Sequence, residues 1–165
     1  MARAGIRCVA VKPNLAIQSL RGWLLLVHGP AAPTAEEWQR YLDMLQQSPL
    51  TMRGQLIHSL GGAPDSAQRA RSIEIGKPLF EERKKRGIPA LRTAVMSQSA
   101  AVRALATVSN WLFDDTFLGF RLDDWEGTFA HLGVAPTDRE ALKEAVNTLK
   151  KHVESGPEGA PAKPR

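Results

Sequence analysis

Helix-start signatures and helical spacing of apolar residues form the clearest pattern along the chain. A capping box places Ser, Thr or Asp at a helix start and Glu or Gln three residues later. The sequence contains four such pairs: Thr34 with Glu37, Asp65 with Gln68, Asp123 with Glu126 and Thr137 with Glu140. Together with apolar residues at three- and four-residue steps, they predict helices at 35–47, 65–87, 100–113, 124–132 and 138–153.

A proline in one helix and an apolar stripe on another refine these helix predictions. Pro78 lies inside the second helix and lacks the N–H that would bond residue 74, so we expect a kink or break near 76–78. The last helix carries an apolar stripe of Leu142, Val146, Leu149 and Val153. That stripe either covers the sheet or mediates self-association.

Short apolar runs bounded by turn residues predict strands at 6–11, 15–19, 23–28, 55–60, 90–96 and 117–122. Short turns join the early strands, which we therefore expect to be antiparallel. The later strands alternate with helices, which favours parallel pairing through right-handed crossovers. The predicted fold class is α/β, with a mixed sheet of about five strands, helices packed on it and an extra C-terminal helix. We expect one domain over 1–153 and a disordered Gly- and Pro-rich tail over 154–165.

Composition narrows the classes of function. The 165 residues are 43% hydrophobic and carry a net charge of +5, which permits contact with nucleic acid or anionic lipid without requiring it. The longest apolar run, 23–27, is too short to span a membrane. Cys8 is the single cysteine, so no intramolecular disulfide can form, and we expect a cytoplasmic protein.

The order of elements resembles the STAS domain, the family named for sulfate transporters and anti-sigma factor antagonists. The likeness covers roughly residues 6–133. Local features are also similar: strand residues 92–95 lead into 97–99 and a helix, and Phe120 precedes an acidic cap and a helix that ends at 132–134. The resemblance implies a non-enzymatic regulatory or protein-interaction module, of the kind used in bacterial signalling.

In that family, a regulatory serine follows an aspartate at the start of the helix after the central strand. Asp65 and Ser66 stand at the matching place, so the resemblance implies Ser66 as a phosphorylation candidate. A helix N-terminus favours a phosphate through its partial positive charge and free N–H groups. The alternative is that Asp65 only caps the helix and Ser66 is an ordinary first-turn residue.

The turns after two neighbouring strands define a candidate binding edge, because open α/β sheets bind ligands beyond the carboxyl ends of their strands. The candidate binding residues are Gly61, Gly62, Asp65, Ser66, Arg69, Ser97, Ser99 and Arg103. A protein partner at this edge is the first hypothesis. The alternative is a small-ligand or nucleotide/phosphate-binding domain that uses the loop 61–71, although the Gly-Lys-Ser/Thr ending of a P-loop is missing.

Other residues give little support for catalysis, metals or nucleic acid. The four histidines have no metal-ligand spacing, although His28 and His58 could meet near the ends of adjacent strands. The charged run 81–86 is interpreted as a solvated helix end rather than a nucleic-acid patch. We therefore predict no catalytic residue, no metal and no cofactor.

Overall fold

Five strands and five helices alternate along the computed structural model, which describes residues 12–110 and 116–155. The strands are β1 (Leu15–Leu20), β2 (Trp23–His28), β3 (Gly54–Ser59), β4 (Arg92–Ser97) and β5 (Phe117–Phe120). The helices are α1 (Ala35–Gln47), α2 (Ser66–Lys85), α3 (Ala100–Asn110), α4 (Trp125–Leu132) and α5 (Pro136–Ser155).

The strands form one mixed sheet in the order β1-β2-β3-β4-β5. β1 and β2 are antiparallel and meet at a two-residue turn, in which Arg21 and Gly22 both have positive φ, 52° and 84°. Such a turn matches the right-handed twist of a hairpin. β2, β3, β4 and β5 run parallel to one another. The predicted α/β class with a mixed sheet is confirmed, whereas the strand predicted at 6–11, with Cys8, lies outside the described residues.

Alternation along the strands divides the apolar residues between two helical layers. Leu25, Leu56 and Met96 belong to the core cluster that contains the buried residues of α4 and α5. Leu24 and Leu26 belong to the cluster with α1 and α2. The α5 stripe of Leu142, Val146, Leu149 and Val153 is fully within the first cluster. This stripe covers the sheet, so the stripe itself is not available for self-association. Self-association through another surface stays a prediction.

Two capping boxes are confirmed and two are wrong. Thr34 with Glu37 and Asp65 with Gln68 form both reciprocal hydrogen bonds at the starts of α1 and α2. In α4 the cap is Asp124, whose carboxylate accepts from the Gly127 N–H, and not Asp123. α5 begins at Pro136, before the predicted cap Thr137, because proline needs no N–H at the first helical position.

The predicted break near Pro78 is wrong, because α2 is continuous from Ser66 to Lys85, and the alternative of a kink stays a prediction. Pro78 removes one hydrogen bond, but the residues on either side of it pack on the same core. Ile75 is buried, and Leu79 and Phe80 pack against the same cluster. Tertiary packing therefore outweighs the local cost of proline.

Two other predicted boundaries fall at or beyond the ends of the described ranges. α3 is described to Asn110, and the predicted continuation to 113 falls in the undescribed residues 111–115. Of the predicted tail, residues 154 and 155 belong to α5, and the rest lies outside the described residues. Among the described residues, no helix is both long and apolar enough to cross a membrane.

Arg83 corrects the interpretation of 81–86 as a wholly solvated helix end. Its side chain is only 5% exposed, while its neighbours Lys84 and Lys85 are exposed as expected. The guanidinium donates to the carbonyl oxygens of Pro49 at 2.7 Å, Met52 at 3.1 Å and Pro89 at 2.7 Å. Arg83 thus ties α2 to the segments that precede β3 and β4.

Substituting Arg83→Met should lower the free energy of unfolding by about 2 to 3 kcal/mol, because it leaves the buried carbonyl oxygen of Met52 and the part-buried ones of Pro49 and Pro89 without this donor. Urea denaturation measures this change. Arg86→Met is the matched control: Arg86 lies on the same helix end and makes only an exposed ion pair with Glu82, so its loss should change stability little. Equal costs for the two variants would show that Arg83 is not a structural anchor.

Candidate functional site

An apolar groove of about 200 Å³ lies between α2 and α3. Ile57 and Val95, on the adjacent strands β3 and β4, contribute the sheet side of the groove. Ile73 on α2 and Val102 and Leu105 on α3 contribute the helical walls. Clefts of this kind, lined mainly by apolar side chains, are the usual form of small-molecule sites.

The groove exists because α2 and α3 cover different parts of the sheet. α2 packs beside α1, whereas α3 packs on β4 and β5. Gly119 on β5 permits this position, since a β-carbon there would lie only 2.9 Å from the β-carbon of Arg103. α3 therefore sits close to the β5 edge, and the groove lies between it and α2, over Ile57 and Val95.

Buried polar and aromatic groups line one end of the groove, at the carboxyl ends of β2 and β3. His28 and Ser59 lie opposite each other in the β2–β3 register, and each is only 1% exposed. The ring of Trp38 lies 6.1 Å from the His28 ring, centroid to centroid. Nδ1 of His28 has no hydrogen-bond partner among the described residues.

The other polar side chains that line the groove donate hydrogen bonds within the chain. Six such side chains occur among the described residues, and each donates to a carbonyl or amide oxygen: Trp38 to Gln68, Tyr41 to Gln55, Ser59 to Gly62, Arg69 to Pro64, Ser72 to Gln68 and Ser109 to Leu105. His28 is thus the lining residue with a buried nitrogen left unpaired.

The predicted loop 61–66 lies at this end of the groove, and most of its polar groups stabilise the conformation of the loop. Gly61 has a positive φ of 122°. A β-carbon at Gly62 would collide with the carbonyl oxygen of Ala31, and the Gly62 N–H donates to Gly29 at 2.8 Å. Asp65 accepts from the Gln68 N–H at 2.8 Å, while Ser66 is exposed.

The second predicted turn, 97–103, follows the neighbouring parallel strand, so both turns lie at the same end of the sheet. Ser97 is buried, and its hydroxyl accepts from the Ser99 N–H at 3.1 Å. Ser99 accepts from the Val102 N–H at 3.3 Å. Arg103 donates to the carbonyl oxygens of Ser97 at 2.7 Å and Gln98 at 3.0 Å. Of the predicted binding residues, Gly62 and Arg69 line the groove.

His28 and His58 do not meet, which corrects the expectation that they could. His58 pairs with Val27 in the β2–β3 register, so its side chain points to the face opposite that of His28. Its ring stacks on Trp125 with centroids 6.5 Å apart. No cluster of His, Cys, Asp and Glu that could hold a metal occurs in the described ranges.

Burial lowers the pKa of both histidines to about 4. The carboxylate of Glu37 partly offsets this effect on the pKa of His28, whereas the charge of Lys150 lowers the pKa of His58 further. Both imidazoles are therefore neutral near neutral pH.

The free energy of unfolding should fall as the pH is lowered from about 6.5 towards 4. The unfolded chain binds protons at these histidines below its ordinary pKa near 6.5, while the folded chain does not, so stability rises with pH in this window. The loss should reach up to about 3 kcal/mol for each histidine by pH 4. Urea denaturation across this range measures it, and His28→Leu and His58→Leu should each flatten the dependence. An unchanged slope in both variants would contradict the assignment.

One solved structure that is similar to this chain is an uncharacterized protein of the DUF3478 family from Shewanella loihica PV-4, described as having a SpoIIAA-like fold. It is 17% identical, with a TM-score of 0.49, and the match covers 72% of this chain and 91% of that chain. No protein-family model and no curated protein matches the chain. This likeness concerns the fold alone.

Proposed function

We propose that this chain is a STAS-like, non-enzymatic binding module that takes a small apolar molecule into the groove between α2 and α3. The observation that carries the proposal is the apolar groove of about 200 Å³ between α2 and α3, with Ile57 and Val95 on its sheet side. A site on a sheet between helices, at the carboxyl ends of parallel strands, has the usual position for ligands in α/β folds.

The polar surroundings favour an apolar occupant over the phosphate or nucleotide alternative. Arg69, the cation expected to meet an anion, gives one of its five N–H donors to the Pro64 carbonyl at 2.7 Å, and it is the one charged side chain among the described residues that line the groove. Asp65 places a carboxylate at the start of α2 and occupies the Gln68 N–H. A negative charge at this helix end disfavours a bound anion, because like charges repel at short range.

The hydrogen bonds of Ser59 favour binding over catalysis. Ser59 and His28 project from the same face of the sheet at paired positions, an arrangement that could pair a nucleophile with a base. However, the Ser59 hydroxyl donates to the Gly62 carbonyl at 2.6 Å and accepts from the Gly61 N–H at 3.1 Å. An activated nucleophile requires its hydrogen bond to go to the base, and here it shapes the loop instead.

p-Xylene, an uncharged single-ring hydrocarbon, should bind in the groove and shift the methyl resonances of Ile57, Val95 and Val102 in an NMR titration. Ser72→Phe should weaken this binding at least about tenfold, because a phenyl ring in the groove would occupy much of a cavity suited to one ring. Ala70→Phe, an exposed position on the same helix, is the matched control and should bind as the original chain does.

The absence of methyl shifts at saturating p-xylene, or shifts confined to another part of the sheet, would overturn the proposal. A separate titration with inorganic phosphate tests the phosphate alternative. Saturable shifts of the amide resonances at 61–66 on adding phosphate, without an effect of p-xylene, would favour that alternative.

A second candidate function is a protein interaction that is controlled by phosphorylation of Ser66. The favouring observation is that Ser66 is exposed as the first residue of α2, beside Pro64 and Arg69 at the groove. A phosphate there would add a charge of about −1.5 to −2 to the surface next to the groove.

Ser66→Asp and Ser66→Ala should differ several-fold in the amount of the native partner that they retain in affinity capture, since only the first mimics the added charge. Mass spectrometry of the captured proteins measures the difference. Ser19→Asp, an exposed serine on β1, controls for a general effect of charge. Equal recovery by the two Ser66 variants would rule out the switch.

A further inference from the structure

We infer that the groove selects single-ring molecules that carry one carboxylate, with the ring between α2 and α3 and the carboxylate on the guanidinium of Arg69. The inference rests on the proposed function and narrows its ligand to molecules with an apolar body and one negative charge. It combines the size of the groove, the free donors of Arg69 and the carboxylates nearby.

The size of the groove sets the size of the apolar body. A dry cavity of about 150 Å³ lined by Leu, Ile and Phe side chains accepts benzene. The groove measures about 200 Å³, which suits one ring with a substituent or two. Val108, which lines the groove, is 62% exposed, so the groove is open to solvent on that side and a ligand can enter.

Arg69 supplies free donors at the loop end of the groove. Its Nη1 donates to the carbonyl oxygen of Pro64 at 2.7 Å, and both residues line the groove. Nε and Nη2 of Arg69 donate to no group within the described ranges, and neither belongs to the buried side-chain atoms that lack a partner. These two nitrogens therefore keep accessible surface, and their shared edge can hold a carboxylate through two parallel N–H···O bonds.

The charge of Arg69 has no ion-pair partner in the part of the chain that the structure describes. Ile57, Ile73 and Val95 line the same groove, and apolar surroundings of this kind strengthen a charge-assisted hydrogen bond by lowering the local dielectric constant. A ligand that places a carboxylate here gains the pairing that the chain itself does not provide.

Two nearby carboxylates limit the ligand to one negative charge. Asp65 caps α2 one turn before Arg69, and Glu37 on α1 acts on the lining residue His28. Both repel an anion at short range, and the repulsion grows with its charge. One guanidinium matches one carboxylate, whereas a phosphate monoester carries about −1.5 to −2. The carboxylates that disfavour a phosphate thus leave room for a monoanion.

Matched probes on one ring test the inference near neutral pH. p-Toluate carries a carboxylate, and p-toluamide replaces it with an uncharged amide of nearly the same shape. p-Toluate should bind about threefold to tenfold more tightly than p-toluamide, because charge-assisted hydrogen bonds are about twice as strong as neutral ones. p-Tolyl phosphate should bind more weakly than p-toluate. NMR titrations of the methyl resonances of Ile57, Val95 and Val102 measure these affinities.

Matched variants assign the preference to Arg69. Arg69→Gln should remove the preference for p-toluate over p-toluamide and keep p-xylene binding. Arg71→Gln makes the same change at an exposed arginine of the same helix, which pairs with Glu74, and it should leave the preference intact. In the original chain, p-toluate and not p-xylene should shift the Nε–H resonance of Arg69, and this measurement requires no variant to fold.

The outcomes separate this inference from the proposed function. Equal affinity for p-toluate and p-toluamide, or a preference that persists in Arg69→Gln, would overturn the role of Arg69 and leave groove binding in place. Methyl shifts with none of the probes, p-xylene included, would overturn the proposed function itself. Tighter binding of p-tolyl phosphate than of p-toluate would overturn the limit of one negative charge.

Discussion

The side-by-side pairing of the parallel strands β3 and β4 is the constraint on which the rest of the structure depends. Because alternate residues point to opposite faces, this pairing puts Leu56 and Met96 in the core beneath α4 and α5. The same pairing puts Ile57 and Val95 together on the other face, where they form the sheet side of the groove. The core beneath α4 and α5 and the candidate site therefore lie on opposite faces of the same pair of strands. A register slip of one residue would move the core residues to the groove face and the groove residues to the core face.

What turns the second face into a groove is the placement of its helices. α2 packs against α1, and the two helices share a core that includes Ile75 and Trp38. α3 is held near the β5 edge, where Gly119 allows its backbone to approach. The groove lies between these two helices. Its inner end is closed by the 61–65 loop, and that loop is fixed by the Ser59 hydroxyl and by the close approach of Gly62 to the backbone at 29–31.

Sequence patterns predicted the features that depend on residues close together in the sequence. The capping boxes at Thr34 and Asp65 gave correct helix starts, whereas the two later starts were displaced because Asp124 caps α4 and Pro136 is the first residue of α5. The buried state of Arg83 and the gap between α2 and α3 depend on residues far apart in the chain, which local patterns do not encode. The position of His28 could have been found, since alternation along β2 places it on the face of Leu24 and Leu26.

The two buried histidines show why an unpaired polar atom is informative only together with its surroundings. Within the part of the chain that the structure describes, His28 and His58 each have an Nδ1 without a hydrogen-bond partner, and each has a pKa lowered to about 4. His58, however, lies on the face covered by α4 and α5, stacked on Trp125, whose ring lies 5.5 Å from that of Phe129. The cost of its unpaired nitrogen is there offset by packing in a closed core. His28 has the same unpaired nitrogen on the other face of the sheet, where the residue lines the groove. The helices that cover each face, and not the histidines themselves, thus decide which of the two borders a groove.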